Sequence, residues 1–265
     1  MQMGFAVPLA GSWATPANQV EVAQRVARAV SIPVIADAGA GFGEPLHVMR
    51  TVEEFIRAGV AGVHIEDQTY PKRAHYHRHH ADAIETSQYV EKIRYACRQR
   101  EESDKDFIVI ARTDTCRFHG LLEAADRINR AAAEGADLGL LFPRNRQEAE
   151  DAPKACRIPL IYVQSRGNSD GRPLFSSSEL KQMGYVACID AQLMIATACH
   201  FQKEALTELR ATGSYSGVSA AKFVEVRKAI EELIGLDKYY GIEEETVLKD
   251  ARGAGETSDT AGSDR

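Results

Sequence analysis

Phe107-Ile108-Val109-Ile110-Ala111-Arg112 is apolar at five consecutive positions and then stops on a guanidinium. Pro33-Val34-Ile35-Ala36-Asp37 and Gly62-Val63-His64-Ile65-Glu66-Asp67 are short runs that stop on acids, and Leu138-Gly139-Leu140-Leu141-Phe142, Leu160-Ile161-Tyr162-Val163 and Tyr185-Val186-Ala187-Cys188-Ile189 are similar in length. The runs are nearly continuous in apolar residues instead of alternating, which marks parallel strands covered on both faces. Helical stripes lie between them. Thr15-Pro16 opens the first, with Val22, Val26, Ala29 and Val30 on one helical face. Pro45 opens the second, with Val48, Val52, Phe55 and Ile56 on one face and Gly59 as its stop. Val90, Ile93 and Cys97 mark a third, and Leu121, Ala125, Ile128 and Ala132 a fourth that ends at Gly135. Strands separated by helices imply right-handed βαβ units. Met3 to Leu9 supplies a seventh strand, where a closed (β/α)8 barrel needs eight. The competing open doubly wound sheet lacks its G-x-G-x-x-G turn after every strand. The expected fold is α/β, a (β/α)8 TIM-type barrel short of one strand.

The 265 residues suffice for one large domain or two small ones. Lys and Arg total 32 against 38 Asp and Glu, a net charge of −6 without a basic stripe, so nucleic acid is not an expected partner. No window approaches a membrane span. Met1 to Ala10 is apolar but lacks a basic leader and is not read as a signal peptide. Cys97, Cys116, Cys156, Cys188 and Cys199 are scattered with no C-x-x-C pair, which indicates reduced thiols and a cytoplasmic setting. The last amphipathic helix spans 219–235 through Phe223, Val226, Ile230 and Ile234. Residues 1–242 are assigned to the barrel domain with this helical segment. Residues 243–265 form an acidic polar tail, expected to be disordered.

Active sites of parallel barrels lie at the C-terminal ends of the strands. Those ends carry Asp37, Glu66 with Asp67, Arg112 with Asp114, Arg144, Gln164 with Arg166, and Asp190 with Gln192. Asp37 and Glu66 end consecutive strands. Two carboxylates plus water suit Mg²⁺, with Mn²⁺ as the alternative; a helix cap or a structural ion pair is the competing reading. Arg112 offers the planar fork that grips a carboxylate. Together they point to a small anionic 2-oxo or 2-hydroxy acid whose developing enolate a metal stabilises. In Asp37-Ala38-Gly39-Ala40-Gly41-Phe42-Gly43, glycines such as Gly41 let the backbone approach a ligand. Lys72 to His80 holds four histidines (His75, His77, His79, His80) and three basic residues in nine positions, a positively charged lid over an anionic substrate. For His79 and His80 a solvated loop is an equal alternative.

Ile35 to Gly43, His64-Ile65-Glu66-Asp67-Gln68, Pro71-Lys72-Arg73 and Ile110-Ala111-Arg112-Thr113-Asp114 together resemble the isocitrate lyase/phosphoenolpyruvate mutase superfamily in order and spacing. Glu134-Gly135-Ala136-Asp137, Phe142-Pro143 and Pro173-Leu174-Phe175 extend the resemblance to roughly residues 12 to 240. It implies a (β/α)8 barrel, here lacking the first strand, and Mg²⁺ on Asp37 and Glu66, the latter often through water. It also implies substrate binding by Arg112, Lys72 in a mobile catalytic loop, and homo-oligomers (dimer or tetramer) that exchange the last helix. Three departures stand out. Gly39 replaces a second acid, Ala74 replaces the loop cysteine of the lyases, and Arg144 replaces a glutamate. His75, Tyr76 or His77 then becomes the candidate acid, and Arg144 a contact for a further anionic arm. The expected activity is Mg²⁺-dependent cleavage of a C–C bond of a substituted malate or related 2-hydroxy acid to a 2-oxo acid. The alternatives are a 2-oxo-acid decarboxylase, a phosphonopyruvate-type mutase or hydrolase, and a catalytically silent homologue.

Overall fold

A computed structural model describes residues 16–72, 82–168 and 171–248. Each of the six apolar runs from Pro33 onwards contains a strand: β1 (Ile35–Asp37), β2 (Gly62–Glu66), β3 (Ile108–Arg112), β4 (Leu138–Leu140), β5 (Leu160–Gln164) and β6 (Ala187–Asp190). They pair in chain order, all parallel. The helices between them are α1 (Pro16–Ala29), α2 (Pro45–Arg57), α3 (Thr86–Ser103), α4 (Cys116–His119), α5 (Leu121–Ala133), α6 (Arg146–Ala155) and α7 (Ser177–Met183). The result is a half-barrel of six strands among the described residues, where a (β/α)8 barrel short of one strand, seven strands in all, is expected from the sequence. Neither β1 nor β6 has a second neighbour in this sheet. Met3 to Leu9, the expected seventh strand, lies outside the described residues.

Residues on a strand alternate between its two faces. Ala36, Val63, Ile65, Val109, Ala111, Leu160 and Tyr162 join the helices in the larger core. Phe55 and Val52 of α2, Ile93 of α3 and Ile128 of α5 are fully buried there, each such side chain contributing about 1.5–3 kcal/mol. Ile110, Leu140, Phe142 and Ile161 cluster on the opposite, inner face, with Ile35, Ile108, Leu138, Val163 and Ile189 packed against them. Asp37, Glu66 and Arg112 share the parity of Ile35, His64 and Ile110, so they emerge on that inner face at its C-terminal rim.

The described residues up to 198 form one compact unit and those from 199 a second. The chain continues through α8 (Leu193–Thr212), α9 (Ala220–Leu233) and α10 (Leu236–Glu245), with α9 and α10 packed together. The helix expected over 219–235 is α9, capped by Ser219, whose hydroxyl accepts from the Lys222 N–H. Helix α10 carries ordered backbone past Ile242 to Glu245, while residues 249–265 fall outside the described part. Among the described residues no helix is long and apolar enough to cross a membrane. All five cysteines are unpaired. Burial pushes the Cys97, Cys116 and Cys156 thiols up to about 12, so they stay protonated and poor nucleophiles.

Candidate active site

Register brings the rim together. Asp37 lies opposite His64 across β1 and β2, and Glu66 lies opposite Arg112 across β2 and β3. Arg112 Nη1 is 3.0 Å from Glu66 Oε2 and 3.9 Å from Asp37 Oδ2. The other edge of the same guanidinium grips Asp114: Nε donates to Oδ1 at 3.1 Å and Nη2 to Oδ2 at 3.2 Å. Gln68 Nε2 also donates to Asp114, and the ring of Phe142 lies 5.1 Å from the Arg112 guanidinium carbon. Lys72 Nζ stands 2.9 Å from Glu66 Oε1. Glu66 is 0% exposed, and each of its oxygens faces a cation. Without such partners a buried carboxylate would take up a proton.

Charge fixes protonation here. Burial would raise the Asp37 carboxyl, but His64, Arg112, Lys72 and the N–H of Gly39 (2.8 Å) outweigh it and hold it well below the usual range. Burial also opposes ionisation of Asp114, which Arg112 nevertheless keeps low. His64 is buried 3.5 Å from Asp37 Oδ1, and desolvation pushes its imidazole towards the neutral form. Asp67 points the other way along the strand. It accepts from Thr113 Oγ1, the Asp114 N–H and Arg127 Nη1, while burial and the Asp114 charge raise it to about 6. Glu66 faces the site and Asp67 ties β2 to α5, although the two are neighbours in sequence.

The turn after β1 is left-handed at Gly39 (φ +53°), Gly41 (φ +75°) and even Phe42 (φ +57°). A Cβ on Gly41 would stand 2.6 Å from Val48 Cγ2, so only glycine lets this turn lie against α2. A Cβ on Gly39 would meet nothing within 4 Å; the place of the superfamily's second acid is open space.

Among the described residues no group of three or more His, Cys, Asp or Glu side chains is arranged to hold a metal. Asp37 and Glu66 could hold a hard divalent cation that keeps most of its waters, as Mg²⁺ does. Their chemistry fits this. Among the described residues three carboxylates (Asp37, Glu66, Asp114) face two fixed cations (Arg112, Lys72), leaving one negative charge in excess. A divalent ion reverses that excess, and an anionic ligand then balances it.

The rest of the expected ring is occupied locally. Arg144 pairs with Glu148 four residues on, through Nε at 2.9 Å and through Nη2. Arg166 pairs with Asp190 at 2.7 Å. Gln164 bonds both backbone groups of Phe175. His75, Tyr76 and His77 lie outside the described residues. His64 went unnoticed in the sequence, though its place two residues before Glu66 puts both side chains on one face.

Residues 10–210 match the family described as phosphoenolpyruvate phosphomutase. The chain is 32% identical over 238 residues to probable 2-methylisocitrate lyase 2 of Corynebacterium glutamicum, covering 87% of this chain and 74% of that protein. A crystal structure of 2,3-dimethylmalate lyase superposes with a TM-score of 0.78 at 30% identity, covering 96% of this chain and 80% of that one. Phosphonopyruvate hydrolase, solved in complex with oxalate and Mg²⁺, gives 0.73 at 25% identity over 88% and 80% of the two chains. The chain therefore belongs to the phosphoenolpyruvate phosphomutase family, within the phosphoenolpyruvate mutase/isocitrate lyase superfamily, and at the level of that family it is a carbon–carbon lyase.

Proposed function

We propose that this chain cleaves a carbon–carbon bond of a substituted malate or related 2-hydroxy acid, releasing a 2-oxo acid, with Mg²⁺ or Mn²⁺ held by Asp37 and Glu66. The observation that carries this reading is the Arg112 guanidinium, 3.0 Å from one acid and 3.9 Å from the other at a single rim. The bound cation supplies Lewis-acid stabilisation of charge developing on substrate oxygen. Arg112, aimed by its two bonds to Asp114, fixes the substrate carboxylate. As the C2–C3 bond breaks, the C2 hydroxyl loses its proton and becomes the carbonyl. The electron pair passes to C3, where it is conjugated with the neighbouring carboxylate and then captures a proton. His75 or His77, on the loop that begins with Lys72, is the donor in place of the absent cysteine, because imidazole titrates near neutrality. Gly41 presents backbone to the substrate, and Arg144, which pairs with Glu148, would meet a further anionic arm only on leaving that partner. The enzyme works in the cytoplasm, a setting its five unpaired thiols support, as a homo-oligomer (dimer or tetramer) that exchanges α9. Phe223, Val226, Ile230 and Leu233 of that helix are exposed within their own unit, which supports an apolar partner.

The test is a Mg²⁺-dependent assay of 2-oxo-acid release from 2,3-dimethylmalate and 2-methylisocitrate, run beside oxaloacetate and phosphonopyruvate. Release from a malate is expected, lost in Asp37→Ala and kept in Cys97→Ala and Cys116→Ala. CO₂ from oxaloacetate alone, or phosphate from phosphonopyruvate alone, would replace this reading with the decarboxylase or the hydrolase. Full activity in Asp37→Ala would remove the metal assignment.

A further inference from the structure

Two polar side chains sit where α3 should be apolar. Tyr89 and Lys92, three residues apart, are 0% and 3% exposed in the layer that also buries Ile93 and Phe55. Each reaches a backbone carbonyl beside one of the two rim acids. The Tyr89 hydroxyl donates to the Ile65 carbonyl, immediately before Glu66, at 3.4 Å. Lys92 Nζ donates to the Ala40 carbonyl, in the turn that follows Asp37, also at 3.4 Å. From α2, Thr51 Oγ1 donates to the next carbonyl, that of Gly41, at 3.2 Å.

That turn connects directly to both acids. The Gly39 N–H donates to Asp37 Oδ1, and the Gly39 carbonyl accepts from the Glu66 N–H at 2.8 Å. Left-handed backbone at Phe42, which is not a glycine, costs energy and persists only where the surroundings fix it. A buried ammonium is also costly. Desolvation weighs against the Lys92 charge, and Glu44 is the carboxylate that favours it. An apolar side chain of the same length would fill this space without that cost, so the amine is explained by what it holds.

We infer that α3 sets the separation of Asp37 and Glu66, with Lys92 as a positioning residue for the divalent-cation site that touches neither the ion nor the substrate. This inference rests on the metal reading above. Its test uses the full-length chain with Mn²⁺ as the probe, bound ion being read by electron paramagnetic resonance. Outer-shell partners of a metal site typically contribute tenfold or more in affinity. Lys92→Met is expected to keep its circular dichroism and weaken Mn²⁺ binding about tenfold. Lys92→Arg should restore most of that affinity. Kinetically, Lys92→Met should raise the Mn²⁺ concentration needed for half activity while kcat at saturating Mn²⁺ changes little, a split that general loosening of the fold would not give. Should Lys92→Met fail to fold, Tyr89→Phe removes the bond to the Ile65 carbonyl beside Glu66 and Thr51→Val the bond to the turn after Asp37, and each is expected to weaken Mn²⁺ severalfold. Unchanged affinity in folded Lys92→Met, or in both substitutes, overturns the inference while leaving the metal site standing. A wild-type chain that binds no Mn²⁺ overturns both.

Discussion

Arg112→Ala is expected to lower turnover of the 2-hydroxy acid by a factor on the order of 10² to 10³, the scale on which removal of one preorganised charge-stabilising group acts. Among the described residues the same substitution removes one of the two fixed cations, Arg112 and Lys72, that face Asp37, Glu66 and Asp114. The site becomes more negative, so Mn²⁺ binding should be retained or strengthened while turnover collapses. This opposition of signs separates loss of a substrate contact from loss of the fold, which would remove both. Arg112→Lys restores the charge but not the planar fork that now spans Glu66 and Asp114, and should recover only a small part of the rate. Steady-state kinetics with Mn²⁺ titration decides it; a folded Arg112→Ala protein with wild-type turnover removes Arg112 from the mechanism.

Glu66→Ala is the change expected to affect stability most. It leaves the Arg112 and Lys72 charges, both largely withdrawn from water, without the carboxylate that each contacts at about 3 Å. Breaking a buried pair in this way costs about 3–5 kcal/mol. For a chain of this size that lowers the melting temperature by roughly 10 °C, and divalent-cation binding should disappear with it. Asp37, being partly exposed, should have the smaller thermal effect when replaced by alanine. Differential scanning calorimetry of the two variants orders them; equal melting temperatures for wild type and Glu66→Ala would show that the pairing does not stabilise the fold.

Much of this was legible in the residues. The six strands from Ile35 onwards were legible because parallel strands buried on both faces leave near-continuous apolar runs such as Ile108 to Ala111. The rim read correctly in part because topology alone places Asp37, Glu66 and Arg112 at one end of the sheet. What each rim residue contacts was not legible. Arg144 reads as a free cation, yet Glu148 lies one helical turn away and takes it. Nothing in the sequence marks Lys92 or Tyr89, because the geometry that turns them inward belongs to the packing of α2 against α3. Closure of the barrel was also beyond reach, since a run of residues states that a strand exists and not whether the sheet meets itself.

The enclosure of Glu66 carries over to how the protein meets electrolyte. Surface ladders such as Arg25–Glu21, Arg98–Glu102 and Arg130–Asp126 stand in solvent, where added salt screens them within about 10 Å at 0.1 M. The guanidinium–carboxylate–ammonium row at the rim is largely withdrawn from water, Glu66 being 0% and Arg112 7% exposed. Raising ionic strength should therefore fray the helical exterior first and leave the spacing of the catalytic charges unaltered.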